Sequence, residues 1–161
     1  MSRAFVKEDS DQPERLPDRP QSSLPNLMTV GGRDAMAARL TTLEQERSAL
    51  LASADLAERS RLPVLERDIR YCRARLRSAQ VMPAAVSPQC VVFGCEVSFV
   101  DDRDCDYRYR IVGEDEADIA AGKISWASPL ARALLGKSVG DEITWTRPAG
   151  DLDIAITAIS P

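Results

Sequence analysis

Histidine is absent from this chain of 161 residues. Its absence excludes a zinc site with histidine ligands and a nucleophilic triad that uses histidine as its base. Cysteine is scarce, and Cys72, Cys90, Cys95 and Cys105 show neither the Cys-x-x-Cys spacing of a metal site nor the density of a disulfide framework. We therefore expect reduced, structural thiols in a cytoplasmic protein.

Long apolar runs are also missing. None approaches the roughly 20 residues of a membrane span, and the first twenty residues, MSRAFVKEDSDQPERLPDRP, lack the apolar core of a signal peptide. Apolar residues make up 44% of the chain and charged residues 29%, which is typical of globular proteins. The composition thus predicts a soluble protein that is neither exported nor inserted in a membrane.

The net charge of −4 is unevenly distributed along the chain. Residues 31–81 carry ten Lys and Arg against seven Asp and Glu, whereas residues 82–161 carry seven against thirteen. Two interpretations stay open. Either both segments are ordinary solvated surfaces, or the middle segment approaches something anionic while the last segment docks on something basic.

Residues 1–30 contain four prolines among Asp, Glu, Ser and Gln. Such a segment buries too little apolar surface to offset the entropy that it loses on ordering. We therefore expect a mostly disordered, acidic and proline-rich N-terminal tail.

Residues 31–81 have the apolar spacing of an antiparallel helical hairpin. Its first seam comprises Met36, Leu40, Leu43 and Leu50. Its second seam comprises Leu62, Leu65, Ile69, Cys72, Leu76 and Ala79. Pro63 is tolerated only in the first turn of a helix, so the second helix is predicted to begin near Ser60. This start leaves Asp55 and Glu58 in or beside the bend.

The period of the apolar pattern changes to two after a predicted linker at residues 81–88. Strands are predicted at residues 95–100, 106–112, 141–147 and 152–159, with the acidic sequence DDRD at 101–104 as a hairpin turn. Ser128 is suited to cap a short helix, Pro129 to its first position and Gly136 to its end. Residues 82–161 are therefore predicted to form an α+β domain in which one short helix closes a small antiparallel sheet.

The sequence YRIVGEDEADIAAGKISWASPLARALLGKSVGDEI at 109–143 closely resembles the C-terminal domain of the bacterial transcript-cleavage factors of the GreA/GreB family. The family pattern of YRIVG, an acidic turn, IS-x-x-SP-x-A-R-A-L-x-GK and a following GD is almost complete. The resemblance extends back through VVFG, forward through PAGD, and more weakly over the hairpin. It covers about 130 of the 161 residues and leaves out the N-terminus.

The resemblance implies a coiled-coil hairpin followed by an FKBP-like domain that docks at the rim of the RNA polymerase secondary channel. In the family the hairpin passes down that channel, and the polymerase then hydrolyses the extruded 3′ end of a backtracked transcript. The factor would thus be no enzyme itself, and we expect a monomer without a cofactor of its own. The residues implied to contact the polymerase are Ser125, Ser128, Pro129, Leu130 and Arg132.

The family tip Gly-Asp-x-x-Glu-Asn aligns with residues 54–59, where Asp55 and Glu58 match the two acids. The resemblance implies that the pair helps to hold a second Mg²⁺, shared with the polymerase, and an attacking water. The other interpretation is a solvated hairpin bend. The arginines of the second helix also have two interpretations. The resemblance implies a basic patch that contacts the extruded RNA, whereas a solvated helix surface is the commoner explanation of such residues.

The hairpin is shorter than the family pattern. Aligning AMAARLTTL and RARLRSAQV with the family's helix motifs leaves each arm about seven or eight residues short, close to one heptad, which preserves the seam register. At 1.5 Å per residue the arm ends roughly 10–12 Å short of the usual reach. Because direct coordination needs an oxygen about 2.1 Å from Mg²⁺, Asp55 and Glu58 cannot ligate the ion directly if docking is unchanged.

Two other functions stay open. One is a non-cleaving regulator that competes for the polymerase channel, as the short arm suggests and as the short-armed relative Rnk exemplifies. The other is a prolyl isomerase, which would need an apolar pocket of aromatic side chains. Alternation assigns several of the candidate aromatics to the core of the sheet instead; the candidates are Phe93, Phe99, Tyr107, Tyr109, Trp126 and Trp145.

Overall fold

The structure, a computed structural model, describes residues 15–161. Its first part is a helical hairpin with a short strand on either side. The elements are β1 Leu27–Thr29, α1 Val30–Ala52, α2 Leu56–Arg59, α3 Leu62–Ser78 and β2 Gln80–Met82. The expected tail falls partly outside the described residues, since residues 1–14 are not among them.

The two predicted seams face each other between α1 and α3. They form two apolar clusters, one around Met36 and Cys72 and the other around Leu50, Leu65 and Ile69. Leu40 and Leu43 pack against both clusters and so connect them. Pro63 lies in the first turn of α3, where its missing N–H leaves no helical bond unmade. The prediction of an antiparallel hairpin is therefore confirmed.

The open end of the hairpin differs from the expected tail and linker. Strand β1, in the expected tail, pairs in parallel with β2, which overlaps the expected linker at residues 81–88. Met28 is only 1% exposed and packs on Met36 and Cys72. Asn26 donates from Nδ2 to the carbonyl oxygen of Arg75 at 2.8 Å. Helices α1 and α3 alone would leave apolar surface exposed at the open end of the hairpin. Met28 covers that surface.

The second part of the chain is a curled five-stranded sheet with one helix against it. Its elements are β3 Glu96–Asp101, β4 Asp106–Val112, β5 Lys123–Ser125, α4 Pro129–Leu134, β6 Glu142–Trp145 and β7 Leu152–Ser160. The strand order is β5-β4-β3-β7-β6. The core lies between the sheet and α4 and includes Val97, Phe99, Ile111, Leu134 and Ile154, each no more than 2% exposed. This α+β domain behind a helical hairpin is the predicted fold class.

The sheet is mixed, whereas the sequence predicted an antiparallel one. Strand β5 pairs in parallel with β4, and every other strand pair of this five-stranded sheet is antiparallel. A parallel neighbour requires a crossover connection. Residues 113–122 supply it through two short 3₁₀ turns, Glu114–Glu116 and Ile119–Ala121. No helix of the described residues is both long and apolar enough to cross a membrane.

Candidate functional site

The two acids of the hairpin tip both have local hydrogen-bonding roles. Asp55 caps α2, since its Oδ1 accepts from the Ala57 N–H at 2.8 Å. Glu58 accepts at Oε2 from the Ser53 hydroxyl at 2.6 Å. The same hydroxyl oxygen accepts from the Asp55 N–H at 3.1 Å. Ser53 therefore links the two acids across the bend, which is one full turn of helix rather than an irregular loop.

The chemistry of the tip fits part of a Mg²⁺ coordination sphere. Both carboxylates are exposed, and Asp55 Oδ2 and Glu58 Oε1 accept no hydrogen bond from within residues 15–161. Magnesium takes six oxygen ligands and retains several waters, so one or two carboxylates suffice when the remaining ligands come from elsewhere. Within those residues no three acids or cysteines converge on a metal site. The remaining ligands would therefore have to come from a partner.

The residues predicted to contact the polymerase lie together at the start of α4. Ser128 caps α4 by accepting from the Ala131 N–H at 3.2 Å. Ser125 accepts from the Ala127 N–H at 3.1 Å and ends β5. Pro129 and Arg132 are exposed, whereas Leu130 is 5% exposed and belongs to the core. The two serines and Leu130 therefore stabilise the start of α4. Pro129 and Arg132 are the members of the set whose side chains are exposed and free to contact a partner.

An apolar groove of about 470 Å³ adjoins this surface. Residues that line it include Tyr109, Ile119, Pro129, Leu130, Trp145 and Pro148. Ile119 is 74% exposed, and the Arg147 guanidinium lies 5.2 Å from the centre of the Trp145 ring. The exposed Ile beside an aromatic ring and two prolines makes this groove a candidate contact surface for a partner.

Sequence reasoning missed Ile119, and it left open which of the aromatic side chains, Trp145 included, lie outside the sheet core. Ile119 interrupts the polar sequence EDEADIAAGK, where no strand or helix needs an apolar residue, and that was the available signal. Trp145 does alternate with Ile143 along β6, but β6 is an edge strand and its ring is only partly buried. The groove arises only when the second 3₁₀ turn, α4 and β6 come together.

The arginines of α3 are mostly paired within the chain. Four of the seven arginines between residues 59 and 77 contact carboxylates. These pairs are Arg67 with Asp68, Arg70 with Asp18, Arg73 with Glu44 and Arg75 with Asp115. These ion pairs favour the interpretation of a solvated helix surface over that of a basic patch.

Known proteins resemble this chain in sequence over most of its length. Residues 86–161 match the family described as "Transcription elongation factor, GreA/GreB, C-term". The transcription elongation factor GreA of Sphingopyxis alaskensis is 37% identical over 147 residues, which cover 82% of this chain and 93% of that protein. The chain belongs to the GreA/GreB family. GreA of Thioalkalivibrio sulfidiphilus is likewise 37% identical over 150 residues, 82% of this chain and 95% of that protein.

The alignments with these GreA proteins contain positions that this chain lacks. The covered 82% of 161 residues is about 132 residues, yet the alignments run over 147 and 150 positions, so about 15 to 18 positions have no residue here. Two arms each shortened by seven or eight residues account for a gap of this size. Among solved structures, the GreA homologue Gfh1 of Thermus thermophilus is 23% identical, with a TM-score of 0.42, and covers 86% of this chain and all of that one.

Proposed function

We propose that this protein is a Gre-type transcription elongation factor that binds RNA polymerase at its secondary channel. Family membership across hairpin and sheet domain carries the proposal. The sheet domain docks at the channel rim through the apolar groove and the exposed start of α4. The hairpin then points into the channel. Because RNA polymerase is cytoplasmic in bacteria, we place the factor in the cytoplasm. We propose that it acts as a monomer.

The groove and the charge of the sheet domain both support docking on a polymerase. Apolar residues such as Ile119 supply contact area, Arg147 lines the groove, and Arg132 is exposed on the adjoining helix α4, so both arginines offer donors for acidic or carbonyl groups. The rest of the domain is acidic, with thirteen Asp and Glu against seven Lys and Arg in residues 82–161. Such a surface disfavours direct docking on nucleic acid and favours a protein partner.

The docking surface can be tested with two matched substitutions. Ile119→Asp places a charge in the groove, and Val139→Asp places the same charge at an apolar residue that is 57% exposed and lies outside it. Pull-down with core RNA polymerase should lose about tenfold or more in affinity for Ile119→Asp, as for an interface anchor, and stay unchanged for Val139→Asp. Equal binding by both variants would refute the groove as the docking surface.

Occupation of the secondary channel is tested by competition. A cleavage-competent Gre protein should displace this factor from the polymerase, since both would occupy one channel. Simultaneous binding would place this factor elsewhere. A proline-peptide isomerisation assay on the same preparation covers the alternative enzyme function, and turnover there would contradict a purely binding role for the groove.

Stimulation of transcript cleavage is the second candidate, and the paired acids at the tip favour it. The shortened arm favours the opposite, a channel-bound regulator without cleavage activity. We propose the non-cleaving role, because carboxylates that stop roughly 10–12 Å short cannot enter the coordination sphere of Mg²⁺. The shared Mg²⁺ and contact with the RNA 3′ end belong to the cleavage alternative.

The two candidates differ in the cleavage of backtracked complexes. With the wild-type protein and with the Asp55→Ala/Glu58→Ala double variant, the RNA should be cleaved only at the intrinsic rate of the polymerase. Cleavage by the wild type that the double variant loses would establish the tip acids as assisting ligands and contradict the non-cleaving role. The single variant Ser53→Ala, which releases the Glu58 carboxylate and removes the acceptor of the Asp55 N–H, should likewise leave cleavage at the intrinsic rate.

A further inference from the structure

The start of α1 is capped by a carboxylate from the sheet domain. Glu116 accepts at Oε2 from the Thr29 N–H at 3.0 Å and at Oε1 from the Thr29 hydroxyl. A helix usually supplies this bond itself, through a Glu three positions after the N-cap that reaches back to the N-cap N–H. Here that third position is Gly32, and a Cβ there would lie 2.0 Å from the Glu116 Cδ atom. The missing side chain of Gly32 is replaced by one from the other domain.

A second contact joins the same acidic turn to α3. Arg75 is only 3% exposed, and its Nε lies 2.5 Å from Asp115 Oδ2. The Tyr71 hydroxyl donates to Asp115 Oδ1 at 2.5 Å. Burial and this bond to Asp115 raise the pKa of Tyr71 to about 12, because an ionised hydroxyl could not donate to the carboxylate. Two adjacent residues, Asp115 and Glu116, thus bind the two helices of the hairpin.

The N-terminal segment also contacts α3 at the residues that bind Asp115. Arg19 lies over the Tyr71 ring at 4.0 Å, and Asn26 bonds to the Arg75 carbonyl oxygen and the Ser78 hydroxyl. The buried Arg75 guanidinium is paired with Asp115 and lies near Glu114, while its backbone carbonyl is bonded to Asn26, so the residue has few alternative positions. Breaking one member of such a network leaves an uncompensated buried charge, which is costly.

The direction of the arm depends on these few contacts at its base. Helix α1 has 23 residues and is about 34 Å long, so a tilt of about 10° at the base moves the tip by about 6 Å. We propose that Thr29, Tyr71, Arg75, Asp115 and Glu116 form a clasp that fixes the direction of the hairpin relative to the docking domain. This inference rests on the proposed function: the five residues are positioning residues that align the arm with the polymerase channel.

The clasp can be tested in the free protein by measuring the separation between arm and domain. Spin labels are placed on Leu56→Cys at the exposed tip and on Cys105, which is exposed in the turn between β3 and β4, in a Cys90→Ser background. Cys72 and Cys95 are fully buried. The otherwise wild-type chain should give one narrow distance distribution. Asp115→Asn/Glu116→Gln should broaden or shift it by several ångströms, on the order of the displacement expected for a ~10° tilt.

The matched control is Glu142→Gln/Asp151→Asn, which removes the same charge from the sheet domain at two exposed acids. Neither of these acids has an ion pair within residues 15–161. The control should keep the narrow distribution. An unchanged distribution in the folded clasp variant would overturn the proposal. If that variant does not fold, Tyr71→Phe, which removes one hydroxyl and keeps the ring under Arg19, decides the question by the same measurement.

The consequence for function is measured with a photo-crosslinker at position 56 in the complex with RNA polymerase. The clasp variant should bind through its groove as the wild type does, but its tip should lose most of the crosslink to channel residues. A broad arm distribution with wild-type crosslinking would refute the positioning role. Failure of the wild type to bind polymerase would refute the proposed function and leave the distance result standing, since that result needs no polymerase.

Discussion

At the residue scale, Asp101 shows how one carboxylate organises the turn of the first β-hairpin. It accepts at Oδ1 from the N–H groups of Arg103 and Cys105, both at 2.9 Å. The Tyr107 hydroxyl donates to its Oδ2 at 3.1 Å. The Cys105 N–H, together with the other donors, holds the pKa of Asp101 below its usual value. The acidic DDRD sequence is thus a structural turn in which one acid has the central role.

We expect Asp101→Asn to flatten the acid limb of the stability curve. A pKa that is lowered on folding contributes stability above its unfolded value of 3.8, and this contribution is lost as the pH falls through the folded value. Thermal unfolding from about pH 7 down to about pH 2 should show a shallower acid decline in this variant. Asp102→Asn, an exposed change in the same turn, is the control, and an equal effect of both would contradict the role of Asp101.

At the element scale, Gly31 and Gly32 in the first turn of α1 have different surroundings. A Cβ on Gly31 would lie 3.9 Å from its nearest neighbour, the Thr29 hydroxyl oxygen, which is an ordinary contact. A Cβ on Gly32 would overlap Glu116, including its Cγ atom at 2.5 Å. The first position of this pair tolerates a side chain, and the second is occupied by one from the sheet domain.

Gly32→Ala should therefore lower the free energy of unfolding by about 1–3 kcal/mol, the usual range for overpacking a filled site. Gly31→Ala should be neutral or stabilising by up to about 1 kcal/mol, because alanine restricts the unfolded chain more than glycine does. Urea unfolding of both variants measures the difference. Equal stability of the two would contradict the position of Glu116 at the helix start.

The secondary structure elements themselves could mostly be predicted from the sequence. The hairpin seam and the strand at 106–112 follow from residues only three, four or two positions apart, which the chain brings together in any helix or strand. The parallel strand β5 and the pairing of β1 with β2 could not be predicted in this way. Both are three residues long, too short for a periodic pattern, and both depend on partners distant in sequence.

At the scale of the whole molecule, the length of the arm and the position of the tip decide between the proposed activities. The acids have the correct spacing and oxygens to offer, but if the domain docks as in the family, an arm about one heptad short would hold them away from the metal. Restoring the missing length should then restore the activity. The ion pairs Arg47–Glu66 and Arg73–Glu44 show which levels of the two helices face each other.

Duplicating residues 43–49 in α1 and 66–72 in α3 adds one heptad to each arm at matching levels. The seam register is kept, and the tip advances by about 10 Å. With this variant bound, we expect the polymerase to cleave backtracked transcripts at a rate clearly above that with the parent protein. The same extension with Asp55→Ala/Glu58→Ala should not, and cleavage that survives this double change would contradict the role of the acids.

The sequence by itself determined the hairpin, its seam and bend, most strands of the sheet, the capped helix at Ser128 and the family, because local spacing and a long motif carry that information. Only the tertiary structure decided which surfaces exist. The groove requires Ile119, Pro129 and Trp145 to meet from three elements. The clasp joins Thr29 to Glu116, 87 residues away, and Arg75 to Asp115, 40 residues away. Contacts between residues so far apart in sequence depend on how the helices and strands pack against one another, and no local sequence pattern encodes them.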